Sequence, residues 1–400
     1  MFDVEAARAQ FPALGISDGG YARVYLDAPG GTQVCERAVE RMCAYIRSGT
    51  ANDGGAFATS IATDRLSTEA HARVAAFLGA DAGEVAFGPN MTSLTFALSR
   101  SLATRFGPAD EIVLTRLDHD ANVAPWLRVA EDRGLAVRWI DFDPDSGRLR
   151  LDTLGEILSE RTALVAVGHA SNALGTVNDV AAIAAAAKDA NPAALVYVDA
   201  VQSVPHLPVD VTALGCDLLV ASPYKFFGPH QGVMWGREAL LDELPAYKVR
   251  PSPTTPPARK WETGTPSYEG QAGTLGAIEH IEAFGGMATL AAYERDLGER
   301  LLDGLLAIPG LWLWGPDTMD DRVPTFAFTL NGREPRAVAE RLAAENIFVW
   351  SGSFYAVEVV ERLGLSNSGG LVRVGLCHYN TIDEVDRVLD AIERIATEGR

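Results

Sequence analysis

Two charged residues at the ends of apolar runs carry the first chemistry this chain offers. The run VYVDAVQSVPH contains Asp199, and VASPYKFFGPHQG contains Lys225 and closes at Gly232. Two buried strands, each delivering one charged residue at its C-terminal end, are how an open α/β sheet builds a ligand site. A lysine and an aspartate so placed suit pyridoxal phosphate. The amine forms an imine with the cofactor aldehyde, and the carboxylate keeps the pyridine nitrogen protonated so that the ring accepts electrons. Taken singly, such an Asp reads as a helix N-cap and such a Lys as a solvated charge. Here they occur with Gln202, Ser222 and a Gly228-Pro229 turn.

The pattern D-x-x-Q followed by S-x-x-K resembles the class V aminotransferase and cysteine desulfurase-like family of pyridoxal phosphate enzymes. The likeness runs over roughly residues 20–395. It implies an α/β protein of fold type I, with a large, mainly parallel, seven-stranded-type sheet and a small α+β C-terminal domain. The expected division is a large cofactor domain over residues 20–285, with 1–19 and 286–400 in the small domain. The resemblance also assigns roles. Lys225 is the imine lysine that moves the Cα proton, Asp199 faces the ring nitrogen, and Gln202 and Ser222 belong to the same site. Asn172, in S-N-x-x-G, holds the ring oxygen. Thr92 holds the phosphate, and His119, in D-H-D-A-N-x-x-P-W, stacks on the ring and helps move protons. Thr265, in W-E-T-G-T-P, reaches the phosphate of a partner subunit, which implies a homodimer with shared sites. Arg373, in LVRVGLCHYNT, grips the α-carboxylate of an amino acid, because a planar guanidinium gives two parallel hydrogen bonds. Tyr355 and Asn52 are the remaining candidates on the substrate side.

One loop departs from that family. Desulfurases of the nearest group carry R-x-G-x-x-C where this chain reads W-S-G-S-F-Y, so Trp350 replaces the arginine and Tyr355 the cysteine. A phenol cannot carry a persulfide. Tyr224 also stands where many desulfurases have histidine. The expected activity is therefore that of an aminotransferase. The alternatives are a cysteine-independent C–S or β-lyase, or desulfuration by β-elimination. A non-catalytic scaffold or amino-acid sensor is the rival from another class.

The elements that must hold these residues alternate between strand and helix from about residue 84 to 235, which implies a parallel sheet covered on both faces. In EVAFGPNMTSLTF a strand over 85–87 breaks at Gly88-Pro89 and restarts as a helix near Thr92. Such a turn cradles phosphate, but every βα unit has one. No G-x-G-x-x-G opens any helix, which disfavours a dinucleotide site. The turn at Gly30-Gly31 reads equally as part of the site or as a plain strand-to-helix connection. The polar loop 50–60 reads equally as an active-site segment or as surface. A long helical stretch after residue 269 should bridge the two domains.

Composition narrows the class. Four hundred residues with 48% hydrophobic content support a large core. A net charge of −19 disfavours a nucleic-acid partner and an anionic membrane surface. Four scattered cysteines argue against a disulfide framework or metal site and for a reducing compartment. No signal peptide or spanning segment is recognisable, so a soluble cytoplasmic protein is expected.

Overall fold

The computed structural model describes residues 2–398. A seven-stranded sheet lies at its centre. From one edge its strands are Val85–Gly88, Gly232–Gly236, Leu218–Ala221, Leu195–Asp199, Thr162–Gly168, Glu111–Thr115 and Ala136–Ile140. The last five run parallel, and only Gly232–Gly236 is antiparallel to its neighbours. The sheet is therefore mainly parallel, as the alternation of elements implies.

Both faces of this sheet are covered, which is why its strands read as unbroken apolar runs. Side chains along a strand alternate between faces. Val165, Val167, Val196 and Val198 enter one core with Phe87 and Leu219. Leu164, Ala166, Leu195 and Tyr197 enter the other with Trp126 and Leu218. The Ala-rich helix Val180–Ala190 seals the first face through Val180, Ile183, Ala184 and Ala187.

A third core lies under a four-stranded antiparallel sheet, ordered Leu311–Trp314, Thr325–Leu330, Leu371–Gly375, Trp350–Gly352. Phe326, Phe328, Val372 and Val374 pack there against Leu301, Val388 and Ile392. The stretch FVWSG is divided in two. Ile347–Phe348 pairs in parallel with Val24–Tyr25, and Trp350–Gly352 pairs with Leu371–Gly375. Val24 and Leu26 also pack into this third core, although they lie past residue 20, where the large domain is expected to begin. The chain leaves that core at Asp27, which bridges to Gly375.

The long helical stretch is two helices, Tyr268–Ala283 and Met287–Ala307. They part at Gly285 and Gly286, whose φ values of 95° and 80° suit only glycine at low cost. On the second helix, buried Glu294 accepts from His206 Nδ1 at 2.7 Å and from the backbone N–H of His378 at 2.8 Å. It thus ties the segment after the central strand to the strand end beyond Arg373. Burial pushes this carboxyl up, while His206 and the His378 N–H hold it down. Among the described residues no helix is long and apolar enough to cross a membrane. Removing one partner of a buried charged hydrogen bond leaves the other unsatisfied. Glu294→Ala should therefore lower the unfolding free energy by about 3 kcal/mol. Urea denaturation checks this, and an unchanged midpoint would show that the tie carries no stability.

Candidate active site

The strands Thr162–Gly168, Leu195–Asp199 and Leu218–Ala221 end side by side, with Gly168 opposite Asp199 and Asp199 opposite Val220. The cavity beyond them is lined by Thr92, Asp118, His119, Asn172, Asp199, Gln202, Tyr224 and Lys225, among others. Lys225 sits on a single 3-10 turn, Pro223–Lys225, that an N-terminal turn straps in place. Thr32 donates to Tyr224 O from its backbone N–H (3.1 Å) and its hydroxyl (3.2 Å), and Phe227 N–H donates to Thr32 Oγ1 at 2.9 Å. The same N-terminal turn aims Pro29 O at the site. That carbonyl accepts from Lys225 Nζ and, at 2.9 Å, from Gln202 Nε2. The turn at Gly30-Gly31 is thus part of the site and not a plain connection.

The helix Met91–Leu102 begins at the cavity wall, where Met91 and Thr92 stand. Asn90 caps it by accepting from Ser93 N–H at 2.8 Å, and Ser222 Oγ accepts from Met91 N–H at 3.2 Å. The start of this helix, with its partial positive charge, therefore faces the cavity. Ser222 is fully buried between it and the Lys225 turn.

Burial dominates the electrostatics. It pulls the Lys225 ammonium down to about 7, with the Arg373 charge acting the same way and Asp199 and Asp27 opposing. It pushes Asp199 up to about 6, against the Val201 N–H bond and the Lys225 charge. His119 falls to about 4, chiefly by burial and then through the Lys225 and Arg373 charges. Its Nδ1 accepts from Ala121 N–H at 3.0 Å, which leaves the ring neutral with its proton on Nε2. Two further buried groups of the site carry no obvious sequence signal. Asp118 holds the His119 loop by accepting from Thr115 Oγ1 (2.9 Å), Gly168 N–H (2.8 Å) and Asn122 Nδ2 (2.7 Å), and burial lifts it to about 7. His169 donates its backbone N–H to Asp199 O at 2.8 Å, while its Nδ1 has no partner.

Arg373 closes the site from the small sheet. Its Nη1 donates to Asn172 O at 2.8 Å, its guanidinium lies 4.4 Å over the Phe354 ring, and its buried Nε has no partner. Phe354 and Tyr355 have φ values of 56° and 58°, a left-handed pair of aromatic residues. Each such residue costs on the order of 1–3 kcal/mol unless its surroundings hold it. They do hold it. Asn172 Nδ2 donates to Phe354 O at 2.8 Å, and Asp120 N–H donates to Tyr355 O at 2.7 Å. The ion pairs Arg116–Glu358 and Arg362–Asp141 fasten the helix that follows. Tyr355 itself is 72% exposed, with its ring 5.6 Å from that of His119.

Two expected residues are not brought to this cavity within one chain. Thr265 is exposed and lines a separate hollow with Gly88, His230 and Glu262. Asn52 is exposed in its loop, where its backbone carbonyl accepts from Ser60 Oγ at 2.6 Å.

A lysine lowered to about 7 is neutral and nucleophilic above that pH. The unfolded chain binds the extra proton between about 7 and the ordinary value of 10.5, so this group adds stability as pH rises through that window. Competitive acetylation followed by mass spectrometry should give half-maximal labelling of Lys225 near pH 7. A half-maximum near 10.5 would contradict the burial argument.

Residues 24–388 match the family model described as aminotransferase class-V. The chain is 32% identical to the aminotransferase-like protein FGM3 of Gibberella zeae, over 98% of each chain. It is also 32% identical to the cysteine desulfurase of Serratia proteamaculans, again over 98% of each. Among solved structures, the apo cysteine desulfurase of Thermococcus onnurineus superposes with a TM-score of 0.92 at 28% identity, covering 99% of this chain and 98% of that one. The chain belongs to the class V aminotransferase family and is a pyridoxal phosphate-dependent enzyme of the aminotransferase and cysteine desulfurase-like type.

Proposed function

We propose that this enzyme transaminates an α-amino acid, using Lys225 as its proton-moving amine and Arg373 as its carboxylate anchor. The observation that carries this reading is a buried amine and a buried carboxylate lining one cavity, with an arginine whose charge acts on that amine and whose buried Nε is free.

The residues present fit pyridoxal phosphate. Asn172 Oδ1 and Gln202 Oε1 are buried without partners at the cavity wall, which points to a polar occupant. Thr92 and Ser222, at the start of the Met91–Leu102 helix, suit its phosphate. Asp199 suits its ring nitrogen, and the neutral His119 ring suits its face. Asn172, whose Nδ2 already serves Phe354 O, has one amide hydrogen left for the ring oxygen. When bound, pyridoxal phosphate supplies an aldehyde that condenses with amines and a ring that takes up electrons from a broken Cα bond.

The chain's own groups do the rest. Asp199, ionised at neutral pH, holds a proton on the ring nitrogen. Lys225 Nζ, which burial makes available as the free amine around neutral pH, takes and returns the Cα proton. Arg373 Nε and Nη2 hold the substrate carboxylate in a fork. Tyr355 covers the substrate side, and Asn52 borders it. The phosphate site is completed by Thr265 of a second copy, in a homodimer acting in the cytoplasm.

Transamination is favoured over persulfide transfer because none of the four cysteines lines the cavity. Burial raises Cys35 to about 11, and it raises Cys377 further. A second reading, β-elimination of a sulfur or other β-substituent, needs no thiol and is favoured by the relatives named cysteine desulfurase.

The visible spectrum of the loaded protein distinguishes these readings when a panel of amino acids that includes cysteine is added. A band lost until a keto acid is supplied is the expected result. A band that recovers alone while pyruvate or sulfide accumulates identifies the lyase. Lys225→Ala should remove the starting band and lower turnover by about 10³-fold in a folded protein. A folded variant that keeps the band would sink the assignment.

A further inference from the structure

Asp27 takes part in no step of the transamination chemistry, yet it stands beside the site, near enough for the Arg373 and Lys225 charges to act on its carboxyl. It ends the segment that pairs with the small sheet, bridging to Gly375, two residues beyond Arg373. Its carbonyl accepts from Gly30 N–H at 2.7 Å and Gly31 N–H at 3.3 Å, which shapes the turn that presents Pro29 O to Lys225. Its carboxylate is only partly exposed and forms no ion pair and no side-chain hydrogen bond with another side chain among the described residues. The charges it senses are those of Arg373 first and Lys225 second.

The gap between the two opposite charges is defined by Gly30. A Cβ built there would stand 3.6 Å from Arg373 Nη2 and 3.6 Å from Asp27 Oδ2. The two charged groups thus flank the Gly30 backbone, close to one another but without forming an ion pair among the described residues. Arg373 presents its remaining donors towards the same space, because Nη1 is taken by Asn172 O while Nε is unpartnered. One guanidinium and one carboxyl group beside a lysine whose burial favours the free amine match the charges of a zwitterion.

We propose that Asp27 and Arg373 form a two-point clamp for the zwitterionic head of an amino acid, Asp27 receiving its ammonium and Arg373 its carboxylate. The clamp docks the amine beside Lys225 Nζ before any covalent exchange. Asp27 is then a specificity residue that rejects carboxylates lacking the amine. This rests on the reading of Arg373 as the carboxylate anchor. Burial raises the Asp27 carboxyl, and the Arg373 and Lys225 charges hold it down, so an arriving ammonium would favour its ionised form.

The test is calorimetric binding of L-alanine and of propionate to the full chain, with and without pyridoxal phosphate. The wild type should hold L-alanine about tenfold more tightly than propionate. Asp27→Asn should erase that preference, weakening L-alanine about tenfold and leaving propionate unchanged or tighter. An unchanged melting temperature for the variant establishes that it is folded. Equal weakening of both ligands would make Asp27 a mere support for Arg373 and overturn the clamp. A wild type with no preference, or a variant that keeps it, would also overturn the clamp. Arg373→Leu separates the two hypotheses. If that variant binds propionate as well as the wild type does, the reading of Arg373 has failed, whatever Asp27→Asn shows.

Discussion

The desolvation of Lys225 is the constraint on which the rest of the structure depends. An ammonium taken out of water costs several kcal/mol unless it is paired or neutral. This one has a carbonyl partner, Pro29 O, and no carboxylate within ion-pair distance among the described residues. Its surroundings therefore favour the free amine. That outcome requires the strand ending at Ala221 to be covered on both faces, so that the turn after it is dry. It also requires the N-terminal turn to be strapped across by Thr32. The site is an assembly of three distant stretches, and the sheet brings them together.

The same physics separates what the sequence discloses from what it hides. A parallel sheet is legible because strands buried on both faces must be apolar throughout, as in ALVAVG and LVYVD. Asp199 and Lys225 stand out because a charge that ends such a run is held at the sheet's rim, where ligands bind. Asp27 does not stand out. It follows VYL in a short segment, and its importance comes from pairing with Gly375 across nearly the whole chain. The left-handed turn at Phe354 and Tyr355 is equally hidden. Two aromatic residues give no local reason for positive φ, and contacts from Asn172 and Asp120 impose it. The division of FVWSG between two sheets and the early crossing of Val24 and Leu26 into the third core are likewise tertiary outcomes. The break at Gly285-Gly286 is different, because a double glycine is a local signal that needs no tertiary contact to be read.

The loop from 350 to 362 gives the site its individual character. In place of a thiol it presents an aromatic turn that is pinned to the large sheet by two hydrogen bonds and two ion pairs. A segment held in this way keeps Phe354 against the Arg373 guanidinium and Tyr355 over His119. It is built to shape a binding wall and has no group to receive sulfur. Thr265 and Asn52 lie outside the cavity of a single chain, Thr265 in a separate hollow and Asn52 exposed in its loop.

The most direct test of Lys225 as the cofactor lysine is chemical. The full-length protein would be loaded with pyridoxal phosphate, reduced with borohydride and digested, and the modified peptide identified by mass spectrometry. One modified residue, Lys225, is predicted, in the peptide that spans SPYKFFGPH. A cofactor fixed to another lysine, or one that washes away unreduced from a folded protein, would contradict it.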